Sequence, residues 1–399
     1  MTDATDLKLV HVPDETTLRR RGTMKWTVYP DDVLPAWVAE SDFATCPVVH
    51  DAIRQAVDNE YFGYERRDGS PQRAFAEFQR ERFGWDVDPK WVRLVPDVVK
   101  GVAVAIDELT PADSAIVITT PSYFPFFDVP RATKRPAIFV PMVRTAGSGA
   151  GGSGSEEWAF DYDALDSAFE QAGSMIVCNP YNPLGRAFRP EELQRLVELA
   201  DRHGVRLISD EIHAPVVYSP ATHTPTASIS DVAARVTVTV TATSKGWNTA
   251  GLHCAQMVFT NPEDRAVMDK VHPLRTGAAS TLGQVSMMAA YVQGQEWLDE
   301  ELAYLSGNLD LLEQRLPQAL PGAQFERPEA SFLLWVDLRE VPGLAEKPAA
   351  KILERARVAF SEGTSFGDEG EGHVRINFAT SRAILNEILD RLEAVSFTD

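Results

Sequence analysis

The feature that most constrains this chain is a β-strand pattern that runs directly into a turn carrying one lysine, VTVTVTATSKGWNTAGL at residues 236–252. Valine and threonine alternate from Val236 to Thr241, which is the two-residue period of a strand, and small residues then lead to Lys245. The pattern therefore places Lys245 at the C-terminal end of a strand, the edge at which open α/β sheets bind ligands. An amine there, beside Ser244, suits a Schiff base with an aldehyde cofactor or an ordinary solvated position.

Three more strand patterns end beside polar side chains. SAIVITTPSYF ends near Tyr123, SMIVCNPYNPLG near Asn182, and VRLISDEIH at Asp210 with His213 close behind. Because the C-terminal ends of parallel strands lie at one edge of a sheet, we expect these groups and the lysine to surround one cleft. Each also has a plainer interpretation, as a core tyrosine, a turn amide, a capping aspartate or a packed histidine.

The segment DVVKGVAVAIDEL predicts a buried helix that begins between Val98 and Gly101. The first turn of a helix has backbone N–H groups without intrahelical partners, which can bind a phosphate. An ordinary structural helix start is the alternative. The glycine- and serine-rich stretch 147–155 is predicted to be a surface loop, since no lysine or threonine follows it at the spacing of a phosphate-binding P-loop.

The length of 399 residues favours two packed units. We predict an α/β fold, in which residues 50–284 form a large domain with a mostly parallel sheet flanked by helices. Residues 285–399 are predicted to form a smaller α+β domain, to which an N-terminal arm, residues 1–49, contributes. Leucines recur at steps of three and four from Leu298 to Leu316 and predict one long amphipathic helix that joins the domains.

The formal charge of -20 excludes nucleic acid and anionic membrane surfaces as partners held by a general positive field. The N-terminus lacks a signal-peptide pattern and no apolar run could cross a bilayer, so we expect a cytoplasmic protein. Cys46, Cys178 and Cys254 are odd in number and widely spaced, which favours free thiols. The histidines show no metal-ligand spacing, and we expect no metal site.

Four motifs resemble the fold-type I pyridoxal phosphate (PLP) enzymes of the class I and II aminotransferase group: NPYNPLG, SDEIH, SKGWNTAGL and VRINFA. The resemblance spans nearly the whole chain. WVAESDFATCP, YFGYE, SDEIHAPVVY and ASFLLWVDL resemble more narrowly its cystathionine β-lyase branch, the carbon–sulfur lyases that act on cysteine conjugates. The narrower assignment depends on the segments around Tyr64, His213 and Ser331.

The resemblance implies a PLP cofactor and a role for each site residue. Lys245 would form the Schiff base, Asp210 would pair with the pyridine nitrogen, and Arg375 would bind the substrate carboxylate. The implied cofactor-binding groups are Val99, Lys100, Tyr123, Asn182, Asp210, His213, Ser244 and Lys245, with Tyr64 from the other subunit of a homodimer.

Two positions depart from the pattern of many aminotransferases. His213 stands where a tyrosine is common, and His253 stands eight residues after the lysine, where an arginine often binds the phosphate. The reaction implied is α,β-elimination from L-cystathionine or a related cysteine S-conjugate, which gives a thiol, pyruvate and ammonia. An aminotransferase and a regulatory protein that keeps the fold to bind a partner are the alternatives.

Overall fold

The computed structural model describes residues 7–146 and 156–398. The loop predicted at 147–155 lies outside this range. The strands are β1 Leu34–Pro35, β2 Val92–Val95, β3 Ala115–Thr120, β4 Ala137–Pro141, β5 Val143–Ala146, β6 Glu156–Ala159, β7 Ala172–Cys178, β8 Arg206–Asp210, β9 Thr237–Ala242, β10 Ala255–Phe259, β11 Gln324–Phe325, β12 Leu333–Asp337, β13 Val358–Ala359, β14 Ser361–Glu362 and β15 His373–Asn377.

Helices alternate with these strands through most of the chain. They are α1 Glu15–Arg21, α2 Met24–Thr27, α3 Pro47–Asp58, α4 Ser70–Phe83, α5 Val98–Leu109, α6 Val129–Thr133, α7 Tyr162–Phe169, α8 Pro190–His203, α9 Asp231–Val236, α10 Pro262–Met268, α11 Pro273–Thr276, α12 Thr281–Gln293, α13 Gln295–Ala319, α14 Pro348–Ala356 and α15 Arg382–Glu393.

The large sheet has seven strands in the order β2-β10-β9-β8-β7-β3-β4. Strand β10 runs antiparallel to both of its neighbours, and the other pairings are parallel. Every residue of β3, β9 and β10 is buried, as expected for central strands covered on both faces. The predicted α/β class and the mostly parallel sheet are therefore confirmed.

Helix α5 packs directly on this sheet because Gly101 allows a close approach. A Cβ atom at Gly101 would lie 2.7 Å from a methyl group of Val240 on β9 and 3.3 Å from Met257 on β10. Any larger side chain would push the helix away from the sheet. The N-terminus of α5 is thus held close to the strand that precedes Lys245. The helix begins at Val98, which confirms the start predicted between Val98 and Gly101.

A second sheet of four strands has the order β11-β12-β15-β14. Its register pairs Trp335 of β12 with Arg375 of β15 and Ser361 of β14 with the same arginine. The N-terminal arm joins this part of the molecule, because Leu34 and Pro35 of β1 pair in parallel with Val358 and Ala359 of β13. The arm therefore pairs with a strand from the C-terminal part of the chain.

Helix α13 is the long amphipathic helix predicted from the leucine spacing, and it spans 25 residues. Leu298, Leu305, Leu309, Leu312 and Leu316 are all buried along it. They belong to a core that also contains residues of the arm and of the C-terminal sheet, whereas most of the large sheet has a separate core. The boundaries at residues 49 and 284 stay a prediction.

Within residues 7–146 and 156–398, every helix is too short or too polar to cross a lipid bilayer.

Candidate active site

The four strand ends singled out from the sequence share one edge of the large sheet. Strands β3, β7, β8 and β9 are neighbours in parallel register, with Cys178 opposite Asp210 and Asp210 opposite Val240. Tyr123 and Lys245 each follow the end of a strand by three residues. The geometry therefore brings the predicted phenol, amide, carboxylate and amine to the same side of the sheet.

Lys245 is half-buried, and its Nζ donates a hydrogen bond of 2.7 Å to the backbone carbonyl of Ala39 in the arm. Burial lowers the pKa of this amine from 10.5 to about 8, and the positive charge of Arg375 acts in the same direction. Asp210 and Glu40 oppose the shift. A large share of the amine is therefore neutral near pH 8, as a nucleophile or base requires.

Asp210 is 3% exposed, and its Oδ1 accepts a hydrogen bond of 3.0 Å from the backbone N–H of Ile212. Burial raises the pKa of its carboxyl from 3.8 to about 7, while that hydrogen bond and the charge of Lys245 lower it. A buried carboxyl of this kind gains most from a cationic partner that enters the cleft. A protonated ring nitrogen is such a partner.

Arg375 is 1% exposed and is held by three polar contacts. Its Nη1 donates to Oδ1 of Asn182 at 3.0 Å, and its Nη2 donates to the carbonyl of Trp37 at 3.0 Å and to Ser361 Oγ at 3.4 Å. The guanidinium also lies over the ring of Phe366, 4.7 Å from its centroid. Its Nε lacks a hydrogen-bond partner among the described residues, so the fork keeps a donor for an anion.

Two predicted ring residues lie in the same cleft. His213 is 2% exposed, its Nδ1 lacks a hydrogen-bond partner within the described ranges, and burial holds its pKa well below the usual 6.5. The charges of Lys245 and Arg375 lower that pKa further. Burial raises the pKa of Tyr123; the positive charge of Arg375 opposes this shift, and the charge of Asp210 adds to it. His213 is therefore a neutral ring at physiological pH.

The N-terminus of α5 has one donor fewer than the resemblance implies. Asp97 is the N-cap residue, and its Oδ1 accepts a hydrogen bond of 2.8 Å from the backbone N–H of Lys100. The first-turn N–H of Val99 cannot have an intrahelical partner and stays the better candidate to bind a phosphate. Lys100 could bind one through its backbone only if Asp97 moved aside.

The remaining predicted residues lie at different depths. Ser244 is half-buried beside Lys245, whereas His253 is exposed and Tyr64 is 96% exposed in the single chain. Ser331 is buried with a φ of 72°. Its N–H donates to the carbonyl of Val216 at 2.8 Å, which joins the ASFLLWVDL segment to SDEIHAPVVY.

Sequence reasoning missed the groups that fix the lysine turn to the arm. The side chain of Asn248 donates to the carbonyl of Ser41 at 2.8 Å and accepts from its N–H at 3.2 Å. Asn248 has a φ of 54°, a left-handed conformation that asparagine tolerates better than most residues. The two residues are 207 positions apart, so no local pattern could have paired them. These two hydrogen bonds between Asn248 and Ser41, the clamp, hold the nearby carbonyl of Ala39 against the amine of Lys245.

The donor set fits the PLP that the resemblance implies. The cleft has an amine of lowered pKa, a buried carboxyl that favours a cationic partner, a neutral imidazole whose Nδ1 has no partner among the described residues, and a helix N-terminus. These groups suit an aldehyde, a pyridine nitrogen, a phenolic oxygen and a phosphate. The described residues contain no cluster of histidine, cysteine, aspartate and glutamate side chains that could hold a metal ion.

Comparison with known proteins gives concordant matches. The family profile described as aminotransferase class I and II matches residues 38–392. A protein of Corynebacterium glutamicum named cystathionine β-lyase is 37% identical over 384 residues, which cover 96% of this chain and 99% of that protein.

Two solved structures extend the comparison. A protein of Corynebacterium diphtheriae assigned as a PLP-dependent β-cystathionase superposes with a TM-score of 0.90 at 43% identity, covering 96% of this chain and 98% of that one. The PLP-bound C–S lyase of Staphylococcus hominis gives a TM-score of 0.85 at 28% identity, with 96% and 97% covered. The resemblance inferred from the motifs is thus reproduced over nearly the whole length.

Proposed function

The chain belongs to the class I and II aminotransferase family, and on that premise we propose that it is a PLP-dependent carbon–sulfur β-lyase. Its substrates are L-cystathionine or related cysteine S-conjugates, which it cleaves to a thiol, pyruvate and ammonia. The match to the cystathionine β-lyase of Corynebacterium glutamicum, at 37% identity over nearly all of both chains, supports the lyase over the aminotransferase.

One observation carries the chemical part of the proposal. The cleft holds an amine whose pKa is lowered to about 8, beside the buried carboxyl of Asp210 and the guanidinium of Arg375. Bound there, PLP supplies an electron sink that stabilises negative charge at the α-carbon of an amino acid. Lys245, Asp210, Asn182 and Tyr123 would hold its ring, and the N–H of Val99 with Ser244 would hold its phosphate.

The side chains of the cleft have different roles in the reaction. Arg375 binds the α-carboxylate through its guanidinium fork, which Asn182 and the Trp37 carbonyl keep oriented. The neutral Lys245 amine takes the α-proton, and Asp210 keeps a proton on the ring nitrogen. The neighbouring Ala39 carbonyl accepts a hydrogen bond from the amine and so limits its motion.

Elimination requires the bond between Cβ and sulfur to break once the α-proton has moved to Lys245. The electron pair of the former Cα–H bond forms the Cα–Cβ double bond, and the sulfur leaves with the Cβ–S pair as a thiolate. A proton then returns to the thiolate. Water hydrolyses the remaining three-carbon fragment to pyruvate and ammonia, so no oxidant and no keto acid are consumed.

Product analysis tests the proposal. Purified, cofactor-loaded protein is incubated with L-cystathionine, once alone and once with 2-oxoglutarate, and pyruvate, ammonia, homocysteine and glutamate are measured. We expect equal amounts of the first three products without any acceptor. Glutamate that forms only with 2-oxoglutarate, with no thiol released from any cysteine S-conjugate, would make the protein an aminotransferase. A loaded protein that forms neither set of products would favour the partner-binding alternative.

We also propose a homodimer in which Tyr64 reaches the active site of the other subunit. The loop that carries Tyr64 exposes it at 96% and exposes Phe62 at 63%, and the hydroxyl of Thr281 holds the loop by donating to the carbonyl of Gly63 at 3.2 Å. Two large exposed rings on a fixed loop suit an interface better than open solvent. For the location, we propose the cytoplasm, because the three cysteines are buried and free.

A further inference from the structure

A cavity of about 490 Å³ lies beside the proposed carboxylate site. Most of its walls are apolar or aromatic, and its large lining side chains are Tyr29, Trp37, Phe124, Leu353 and Phe360. The rings of Tyr29 and Trp37 pack edge to face with their centroids 5.8 Å apart. The volume lies within the range of small-molecule sites, roughly 300–1,000 Å³.

Two independent links make this cavity continuous with the site of Arg375. First, Trp37 and Ser361 line it, and the Nη2 of Arg375 donates both to the Trp37 carbonyl and to the Ser361 hydroxyl. Second, Phe124 lines the cavity and packs against Phe366 with ring centroids 6.0 Å apart, and Phe366 lies beneath the guanidinium of Arg375. An amino acid whose carboxylate binds Arg375 has this cavity within reach of its side chain.

The charge of the cavity restricts what that side chain can be. Among the residues that line the cavity, all of them within the described ranges, Glu362 alone has a charged side chain. Burial raises the pKa of its carboxyl, while backbone hydrogen bonds from Ala350, Ala349 and Gly363 and the charge of Lys347 lower it. No lining residue is a lysine or an arginine. A carboxylate that entered the cavity would lose its water without gaining a cation.

We propose that this cavity binds the S-substituent of the substrate and selects neutral apolar groups of alkyl or benzyl size over anionic ones. The inference rests on the proposed β-lyase function and narrows its substrate class. L-Cystathionine carries a second carboxylate on its far half, and the cavity lining offers that carboxylate no cationic side chain. A conjugate with an uncharged substituent is therefore a better substrate than one whose substituent carries a carboxylate alone, although the same bonds break in both cases.

A matched pair of substrates isolates the charge. S-(3-Methylbutyl)-L-cysteine and S-(2-carboxyethyl)-L-cysteine place the same number of heavy atoms in the same branched shape, and they differ by one negative charge. We measure pyruvate release from each with the cofactor-loaded protein. We expect kcat/KM for the methylbutyl conjugate to exceed that for the carboxyethyl conjugate by at least about tenfold, mainly through KM, because only the carboxylate loses its water without gaining a cation. Equal values, or a preference for the carboxyethyl conjugate, would overturn the proposal.

Two variants of one position locate the effect. Leu353 is half-buried on α14 and lines the cavity. Leu353→Arg supplies a cation and is expected to reduce the ratio of the two kcat/KM values by about fivefold or more. A carboxylate paired with the arginine regains most of the free energy that it lost with its water. Leu353→Met keeps an uncharged side chain of similar volume and is expected to retain the preference. An unchanged preference in a folded Leu353→Arg protein would place the substituent elsewhere and refute the assignment of this cavity.

Binding separates this inference from the proposed function. Lys245→Ala removes the proposed base, so calorimetric titration of this variant, loaded with PLP, reports affinity without turnover. We expect the methylbutyl conjugate to bind at least about tenfold tighter than the carboxyethyl one. If the wild-type protein eliminates neither conjugate but this affinity difference is present, the β-lyase function fails and the cavity assignment stands. If elimination proceeds without any difference in affinity or kcat/KM, the function stands and the cavity assignment fails.

Discussion

Replacing Asp210 by asparagine is expected to stabilise the cofactor-free protein and to weaken cofactor binding. The carboxyl is buried at the end of β8, and its pKa is raised from 3.8 to about 7. A carboxyl whose folded pKa is raised holds its proton more tightly in the folded state than in the unfolded one. Its contribution to stability is therefore lost as the pH rises from about 4 through about 7.

The size of the effect follows from these two pKa values. Integrating proton binding gives a loss of about 2 kcal/mol at pH 5 and of about 4 kcal/mol at pH 7, both relative to the fully protonated state. Asparagine is neutral at both pH values, and its Oδ1 can still accept the N–H of Ile212. Its amide N–H₂ group costs about 1–3 kcal/mol if it finds no partner, but that cost does not change with pH. The advantage of Asp210→Asn should thus grow by about 2 kcal/mol between pH 5 and pH 7.

Urea unfolding of both cofactor-free proteins at pH 5, 6 and 7 measures this difference in the free energy of unfolding. Asp163→Asn, at an exposed position on α7, controls for the same substitution on a solvated surface. Added PLP should reverse the order, because only the wild-type carboxylate pairs with a protonated ring nitrogen. A difference between Asp210→Asn and wild type that is independent of pH would refute the reasoning, whatever its sign.

Three further predictions concern the amine, the arm and the dimer. In the first, PLP is added to the cofactor-free protein and trapped on Lys245 by borohydride, and the rate of trapping should increase about tenfold from pH 7 to pH 9 and then level off. The reason is that the neutral amine is the nucleophile and its pKa is about 8. A trapping rate that still rises through pH 10 would contradict this. Asn248→Gly keeps the left-handed backbone but removes both bonds to Ser41, so urea unfolding should show a loss of about 1–3 kcal/mol, and a loss below about 0.5 kcal/mol would count against the clamp. Mixing Tyr64→Phe chains with Lys245→Ala chains should restore activity in hybrid dimers if Tyr64→Phe alone is impaired, and confirmed hybrids without recovery would exclude shared sites.

The sequence alone determined the α/β fold class and the side of the sheet where the functional groups meet. Both follow from local rules. A two-residue alternation marks a strand, a residue such as Gly84 or Gly204 ends a helix in the left-handed conformation, and parallel strands with helical crossovers place their C-terminal ends together. Tyr123, Asn182, Asp210 and Lys245 could be grouped from the sequence because each lies at the end of such a strand or within four residues of it.

The tertiary structure decided which backbone N–H groups at the start of α5 already have a hydrogen-bond partner. The sequence suggests that the backbone N–H of Lys100 is free to bind an anion, but the side chain of Asp97 accepts its hydrogen bond. Whether this N–H binds an anion or the capping side chain depends on the side-chain conformation of Asp97. The antiparallel direction of β10 likewise depends on where the chain returns after the lysine turn, which is a question of packing.

The contacts that set the chemistry of the amine and the guanidinium come from the arm and the second sheet. The Ala39 carbonyl on Lys245 and the Trp37 carbonyl on Arg375 join positions 206 and 338 residues apart. Backbone carbonyls occur at every residue, so no sequence pattern distinguishes these two. The pKa values of Lys245 and Asp210 depend on burial and on charges brought together by folding. The sequence thus determined which functional groups the cleft contains, and the packing of the arm over the sheet edge decided their protonation and orientation.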